Sequence, residues 1–114
     1  MCKISFERLE KNGLKKGTAS GFFCEIEEFP TKHYLFTNNH VLNEENIEIG
    51  NIINIEFLEH QKSFFNSSYN LVKKNIKITE NRKVFTNKDL DYTCIEIFES
   101  DGILDYFKIF FYFI

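Results

Sequence analysis

Residues 19–27, ASGFFCEIE, decide the fold class, because their side chains alternate with a period of two. Phe22, Cys24 and Ile26 fall on one face of an extended segment, and Phe23, Glu25 and Glu27 fall on the other. Such alternation is typical of a half-buried β-strand. The segment therefore predicts a strand in which Cys24 is a buried thiol.

The same alternation recurs along the chain in short runs that Asn-, Ser- and Lys-rich breaks separate. The runs predict strands at residues 3–9, 19–27, 34–37, 52–59, 71–79 and 92–98. A turn at residues 30–32, Pro-Thr-Lys, would join the second and third strands as an antiparallel hairpin, and residues 60–69 would form an exposed loop. No long helix is predicted. We expect an all-β fold, a single small antiparallel barrel whose closure protects its edges.

The composition limits the function classes. A chain of 114 residues fits one domain, and 43% apolar with 27% charged residues is ordinary for a globular protein. The formal net charge is −3, and the Lys and Arg residues are scattered along the chain. No basic patch for nucleic acid or for an anionic membrane is legible, so neither partner is expected.

The N-terminal residues, MCKISFERLEKNGLKK, lack the apolar segment of a secretory signal, which predicts a cytoplasmic protein. Three cysteines without Cys-x-x-Cys spacing are expected to be free thiols in that reducing compartment. The three histidines lack the spacing of zinc ligands. We therefore predict neither a metal nor a cofactor.

Residues 1–100 are expected to form the barrel, and residues 101–114 an aromatic C-terminal tail. From residue 102 the tail reads GILDYFKIFFYFI, and its apolar run is too short to span a bilayer, for which about 20 residues are needed. We expect it to pack onto the barrel or onto a partner that the chain lacks.

One histidine stands out within LFTNNHVL, residues 35–42. His40 follows a predicted strand through two asparagines, so its side chain can either pack or face a cleft as a base. A catalytic histidine needs a partner that orients its other ring nitrogen. In NKDLDYTCIEI, residues 87–97, Asp91 opens a strand and Asp89 lies two residues earlier. Either both carboxylates are solvated, or Asp91 is buried at the barrel mouth and accepts a hydrogen bond from His40 Nδ1.

Three segments in order, GTASGFFCEI, LFTNNHVL and DLDYTCIEI, resemble the first half of the trypsin-like serine peptidases, which have the chymotrypsin fold. The resemblance covers residues 17–98. It implies that the barrel corresponds to the N-terminal barrel of that fold, that His40 is the general base, and that Asp91 is its orienting carboxylate, with Asp89 as the alternative. Ser20 matches only a structural strand position.

In that family a second barrel supplies the nucleophilic serine in a G-D-S-G-G segment, which this sequence does not contain. None of its serines has the flanking glycines that let backbone N–H groups form an oxyanion hole. Cys94, inside the last predicted strand, is expected to be packed rather than nucleophilic. We expect a peptidase-like domain truncated before its serine, inactive alone and able to act on polypeptides only with a second barrel. The aromatic tail would be either the start of the crossover to that barrel or unrelated residues read after a truncation or a frame change.

Two other functions remain open. A non-catalytic β-barrel module could associate with itself or with another protein through its aromatic C-terminus. An oligonucleotide-binding barrel would have stacking aromatic residues, but the sequence lacks the basic groove that such binding needs. Substrate specificity and oligomeric state are not legible from the sequence.

Overall fold

The computed structural model describes residues 2–10, 13–26, 32–62, 67–103 and 107–109. Within these ranges the chain forms eight strands: β1 Cys2–Glu10, β2 Gly13–Ile26, β3 Lys32–Thr37, β4 Ile52–Lys62, β5 Ser67–Lys77, β6 Val84–Asn87, β7 Tyr92–Glu96 and β8 Phe107–Ile109. Helical structure in the same ranges is limited to the 3₁₀ turn Glu99–Asp101, and nothing there is long and apolar enough to cross a membrane as a helix.

Seven strands form one antiparallel sheet in the order β5-β4-β1-β2-β3-β7-β6, and β8 pairs with β2 in parallel. The all-β prediction is therefore confirmed. The predicted closure is wrong, because in the described residues no ladder of hydrogen bonds joins β5 to β6. The two edge strands, β5 and β6, follow each other in the chain. β5 pairs with β4, residues 78–83 then turn away, and β6 pairs with β7 instead of with β5.

The sheet curls around a single apolar core. Most strands contribute to it, and the residues with almost no exposed surface include Ile4, Leu35, Leu42, Ile55, Ile76 and Ile95. Full burial of each such side chain contributes about 1.5–3 kcal/mol. Ile76 of β5 belongs to this core and Val84 of β6 packs against it, so both ends of the open sheet share one core although no backbone ladder connects them.

Arg82 bridges the gap between the sheet ends. Its guanidinium donates to Asp101 through Nη1 at 2.8 Å and Nη2 at 3.2 Å, and to the carbonyl oxygens of Lys77 at 3.0 Å and Glu96 at 2.8 Å. It also lies 4.4 Å from the centroid of the Phe98 ring. Since Lys77 ends β5 and Glu96 ends β7, one buried side chain joins the strands that the ladder leaves apart.

Strand β2 has a buried side chain on each of its two faces, which the alternation of residues 19–27 did not indicate. Phe23 is 4% exposed and belongs to the core, whereas Phe22 is 41% exposed on the opposite face. Cys24 shares that outer face and is nevertheless fully buried. The prediction of a buried Cys24 thiol is confirmed, and Phe23 on the opposite face is buried as well because it packs into the core.

The cysteines are free thiols, as predicted, and all three are buried. Burial raises the pKa of Cys2 and of Cys24 to about 11 and also raises that of Cys94. Thiols with raised pKa values are protonated at neutral pH and are poor nucleophiles. This agrees with the expectation that Cys94 is a packing residue.

All six predicted strands are present, with shifted ends, and the predicted β2–β3 hairpin is confirmed in the register Phe22 opposite Phe36. The predicted turn at residues 30–32 lies mostly outside the described residues. The loop prediction for residues 60–69 is wrong at both ends, because His60 pairs with Tyr69 in the β4–β5 hairpin. Backbone pairing needs no apolar side chains, so Ser- and Asn-rich residues extend these strands.

Candidate functional site

The turn after β3 carries His40. The backbone N–H groups of Val41 and Leu42 both donate to the carbonyl oxygen of Asn38 at 3.1 Å, which closes a single tight turn. At its start Thr37 donates its hydroxyl to the carbonyl oxygen of Ser20 on β2 at 3.0 Å. This bond reinforces the end of β3, which the ladder already pairs with β2. The His40 side chain projects from the turn with 71% of its surface exposed.

The β6–β7 hairpin carries Asp91. The Asn87 side chain accepts from the N–H of Leu90 at 2.9 Å, and the carbonyl oxygen of Lys88 accepts from the N–H of Asp91 at 3.3 Å. Asp91 has a φ of 51°, in the left-handed region that aspartate tolerates better than most residues. Asn38 donates its side-chain amide to the Asp91 carbonyl oxygen at 3.2 Å, so the hairpin is tied to the His40 turn.

The structure brings His40 and Asp91 into direct contact. His40 Nδ1 lies 2.7 Å from Asp91 Oδ2, and the backbone N–H of His40 donates to Oδ1 of the same carboxylate at 2.9 Å. Of the two interpretations of Asp91, the one with a bond to His40 Nδ1 has the right contact, but the burial it assumed is wrong because 44% of the side chain is exposed. The alternative carboxylate, Asp89, is exposed, and its side chain makes no hydrogen bond or ion pair within the described part of the chain.

Hydrogen bonds keep the Asp91 carboxylate ionised. The backbone N–H of His40 is the main cause of a lowered pKa at Asp91. Partial burial opposes it, and the His40 imidazole and the Asn39 backbone lower the pKa further. An ionised carboxylate only accepts hydrogen bonds, so the proton in the contact belongs to His40 Nδ1. The lone pair of the neutral ring then lies on Nε2, the nitrogen that a general base uses.

Two surface cavities adjoin the pair. One, of 310 Å³, is largely apolar and is lined by residues that include Ser20, Phe22, Phe36, Asp91 and Tyr92. The other, of 400 Å³, is lined by residues with polar or charged side chains: Asn39, His40, Asn43, Glu44, Lys88 and Asp91. A third, of 450 Å³, is lined by asparagines and apolar residues that do not include the pair. The His40–Asp91 pair thus lies between a largely apolar cavity and a cavity lined by polar residues.

Aromatic residues cover the outer face of the sheet beside the apolar cavity. Phe22 stacks on Phe36 with ring centroids 5.6 Å apart, and Tyr34 contacts Phe36 at 6.5 Å and Phe85 at 6.4 Å. We name these four residues the aromatic surface. Phe22 and Phe85 are 41% and 49% exposed, values that are unusual for phenylalanine in a sheet.

Several polar residues of the site were not singled out from the sequence. Asn38 and Asn39 were recognised only as a link to His40, and Glu44 and Lys88 not at all, although all four lie on the turn and hairpin that hold the pair. Their position next to His40 and Asp91 in the sequence was the available signal. Among the described residues no cluster of His, Cys, Asp and Glu has the makeup of a metal site.

Comparison with protein-family models, with curated proteins and with solved structures gives no match. The contact between His40 and Asp91, two residues 51 positions apart in the sequence, is therefore the observation from which a function is inferred.

Proposed function

We propose that this chain is the His- and Asp-bearing half of a trypsin-like serine peptidase, equivalent to the N-terminal barrel of the chymotrypsin fold. The observation that carries the proposal is the 2.7 Å contact between His40 Nδ1 and Asp91 Oδ2, reinforced by the His40 N–H on the same carboxylate. A carboxylate held by two bonds to one histidine fixes both the orientation and the tautomer of its ring.

The roles follow from this geometry. His40 Nε2 accepts the proton of a serine hydroxyl as its oxygen attacks the peptide carbonyl carbon, and then gives that proton to the departing amine. Asp91 stabilises the imidazolium that forms between these two steps. The serine and the N–H groups that bind the oxyanion belong to a second barrel. The chain alone is expected to be inactive on polypeptides.

The strand order supports this assignment. β3 and β7 are neighbours, with Thr37 opposite Thr93, so the turn that follows β3 and the hairpin that precedes β7 meet at one end of the sheet. A base and its carboxylate placed on two adjacent strand ends are held by the ladder between them. The pair therefore needs no other domain to form.

The aromatic surface supports the requirement for a second barrel. It lies beside the apolar cavity that Asp91 also lines, and it exposes large apolar side chains. Exposed apolar patches of this kind are typical of interaction sites. A second barrel packed there would bring its serine to the side of the sheet on which His40 and Asp91 lie.

The test asks whether DNA downstream of codon 114 encodes a second barrel that makes this chain reactive toward a serine-directed probe. The genomic DNA after codon 114 is read in all three frames, and an extension that encodes a G-D-S-G-G segment is fused in frame and treated with a fluorophosphonate probe. We expect labelling of that serine, loss of labelling in His40→Ala, and roughly 10⁴-fold slower labelling in Asp91→Asn. Asp89→Asn is the control and should label at the wild-type rate.

The proposal would be contradicted if no such extension exists, or if labelling of the serine does not depend on His40.

The second candidate, a binding module that associates through its C-terminus, is favoured by one observation. β8 pairs in parallel with the last three residues of β2, so residues 107–109 belong to the same sheet that carries the aromatic surface. The measurement is size-exclusion chromatography of the full chain and of a variant that lacks residues 104–114 but keeps Asp101 and the buried Ile103. A defined oligomer that becomes a monomer supports this candidate, and the same monomer in both cases excludes it.

A further inference from the structure

We infer that Asn39 is a positioning residue for His40, and that with Thr86 and Thr93 it forms a hydrogen-bonded clamp between the His40 turn and the β6–β7 hairpin. The inference rests on the proposed role of His40 as a base. It concerns the groups that hold the imidazole in place, none of which needs to touch a substrate.

Asn39 begins the clamp. Its side chain is buried although its neighbour His40 is exposed, and its amide Nδ2 donates to Thr86 Oγ1 at 2.6 Å and to Glu44 Oε1 at 3.1 Å. An amide NH₂ group has two protons, so both are used. A buried amide that is satisfied in this way is strongly fixed, because any rotation would leave a polar group without a partner.

The clamp then crosses both strands of the hairpin. Thr86 Oγ1 on β6 lies 2.7 Å from Thr93 Oγ1 on β7, and Thr93 donates to the carbonyl oxygen of Leu42 at 2.7 Å. A hydroxyl has one proton, and that of Thr93 is used on Leu42, so Thr86 is the donor between the two threonines. Thr86 also lies 3.2 Å from the carbonyl oxygen of Tyr92, which offers its proton a second acceptor.

The bonds therefore run in one direction, from Asn39 through Thr86 and Thr93 to Leu42. The clamp begins and ends on the same turn, on either side of His40, and Thr93 lies two residues after Asp91. The side chains of His40 and Asp91 are 71% and 44% exposed, and a solvent-accessible pair of this kind holds its own geometry only weakly. The buried clamp supplies the rigidity that the exposed pair lacks.

The experiment measures the tautomer of neutral His40 by long-range ¹H–¹⁵N NMR in the full chain. In the wild type the Nδ1–H form should dominate, because Asp91 accepts from Nδ1. In Thr93→Val and Asn39→Ala we expect the ratio of Nδ1–H to Nε2–H forms to fall roughly fivefold, since a hydrogen bond to a charged group is weakened. Thr93→Ser keeps the hydroxyl and should retain the wild-type ratio. If Thr93→Val does not fold, Thr86→Val at the less buried position replaces it.

Thr37→Val is the matched control. Thr37 is also a buried threonine bonded to a carbonyl oxygen, but its partner is Ser20 and it lies outside the clamp. It should lower stability without changing the tautomer ratio. Wild-type ratios in Thr93→Val and Asn39→Ala, with stability alone reduced, would overturn the inference. A ratio that is unchanged in Asp91→Asn would instead contradict the His40–Asp91 pair itself, so the two failures are distinguishable.

Discussion

At the scale of single residues, Asp91 combines a left-handed backbone conformation with two hydrogen bonds from His40 to its carboxylate. Its φ of 51° turns the carboxylate back toward the chain that follows β3, where the N–H and the ring of His40 both reach it. Asparagine tolerates the same conformation. Asp91→Asn therefore removes the charge without forcing the turn to refold, which makes it a clean test of the pair.

Part of the lowering of the Asp91 pKa should remain when the His40 ring is removed. Because the His40 N–H is the main cause of the lowered pKa, we expect His40→Ala to raise the Asp91 pKa only in part, still below 3.8. Carboxyl ¹³C shifts followed against pH measure this directly. A return to 3.8 or above in His40→Ala would show that the imidazole dominates.

The same shift makes stability depend on pH in a defined direction. The pKa of Asp91 is lower in the folded chain than in the unfolded one, so its contribution is complete above about pH 4 and is lost as the pH falls through the folded value. The difference in unfolding free energy between wild type and Asp91→Asn should be constant at neutral pH and shrink in acid. Urea unfolding at several pH values measures it, and a difference that grows in acid would reverse the assignment.

Gly21 is required by close packing. A Cβ added there would lie 2.8 Å from Ile4 Cδ1 and 2.9 Å from the carbonyl oxygen of Phe36. The backbone oxygen cannot move aside cheaply, so Gly21→Ala should lower the free energy of unfolding by about 1–3 kcal/mol. Ser20→Ala, at the exposed neighbouring position, should change it by less than about 0.5 kcal/mol. Equal effects in urea unfolding would argue against the packing explanation.

At the scale of single residues, the sequence predicted His40 and Asp91 as a pair but none of the residues that hold the pair in place. Both residues occur in segments that resemble a known family. The clamp was not foreseen, because Asn39, Thr86 and Thr93 are ordinary residues for a turn and for strands. Only the pairing of β6 with β7 and of β3 with β7 brings their side chains together.

At the scale of elements, the connection between β5 and β6 depends on Arg82. Its side chain is only 7% exposed, and that of Asp101 is 11% exposed, so the ion pair is shielded from water. The sequence predicted β5 but not β6, because VFTN is four residues long and follows a polar break. Strand periodicity also cannot show that an arginine replaces the missing backbone ladder.

Removal of the Arg82 guanidinium should strongly destabilise the fold. Arg82→Ala leaves Asp101 and two strand-end carbonyls without their donor, and the loss of one partner of a buried ion pair costs about 3–5 kcal/mol. Lys73→Ala, which removes the exposed pair with Glu56, should cost less than about 1 kcal/mol. Thermal or urea unfolding compares the two. Similar losses in both variants would show that Arg82 does not join the sheet ends.

At the scale of the whole molecule, the sheet is open and one outer face is aromatic. The sequence indicated an all-β chain rich in phenylalanine, but alternation alone does not state whether a sheet closes or which of two apolar faces points outward. Whether the sheet closes, and which face points outward, are determined by the order and the register of the strands. The aromatic surface is a property of the assembled sheet, because its members come from β2, β3 and β6.

The aromatic surface should make the isolated chain associate as its concentration rises. Phe85 is its most exposed member, so Phe85→Gln should shift sedimentation toward the monomer without a large loss of stability. Leu90→Gln is the control, since Leu90 is also exposed but lies outside the surface. Equal effects of the two substitutions would indicate nonspecific hydrophobic association.

The order of the strands also has a kinetic consequence. β1 pairs with β4, and β3 pairs with β7, so the sheet is completed by contacts between residues that are distant in the chain. Sheets of this kind fold slowly, in milliseconds to seconds, because large loops must close before their contacts stabilise them. The His40–Asp91 contact spans such a loop. During refolding the imidazole should acquire its partner only as the last strands dock, which makes that contact a reporter of completed folding.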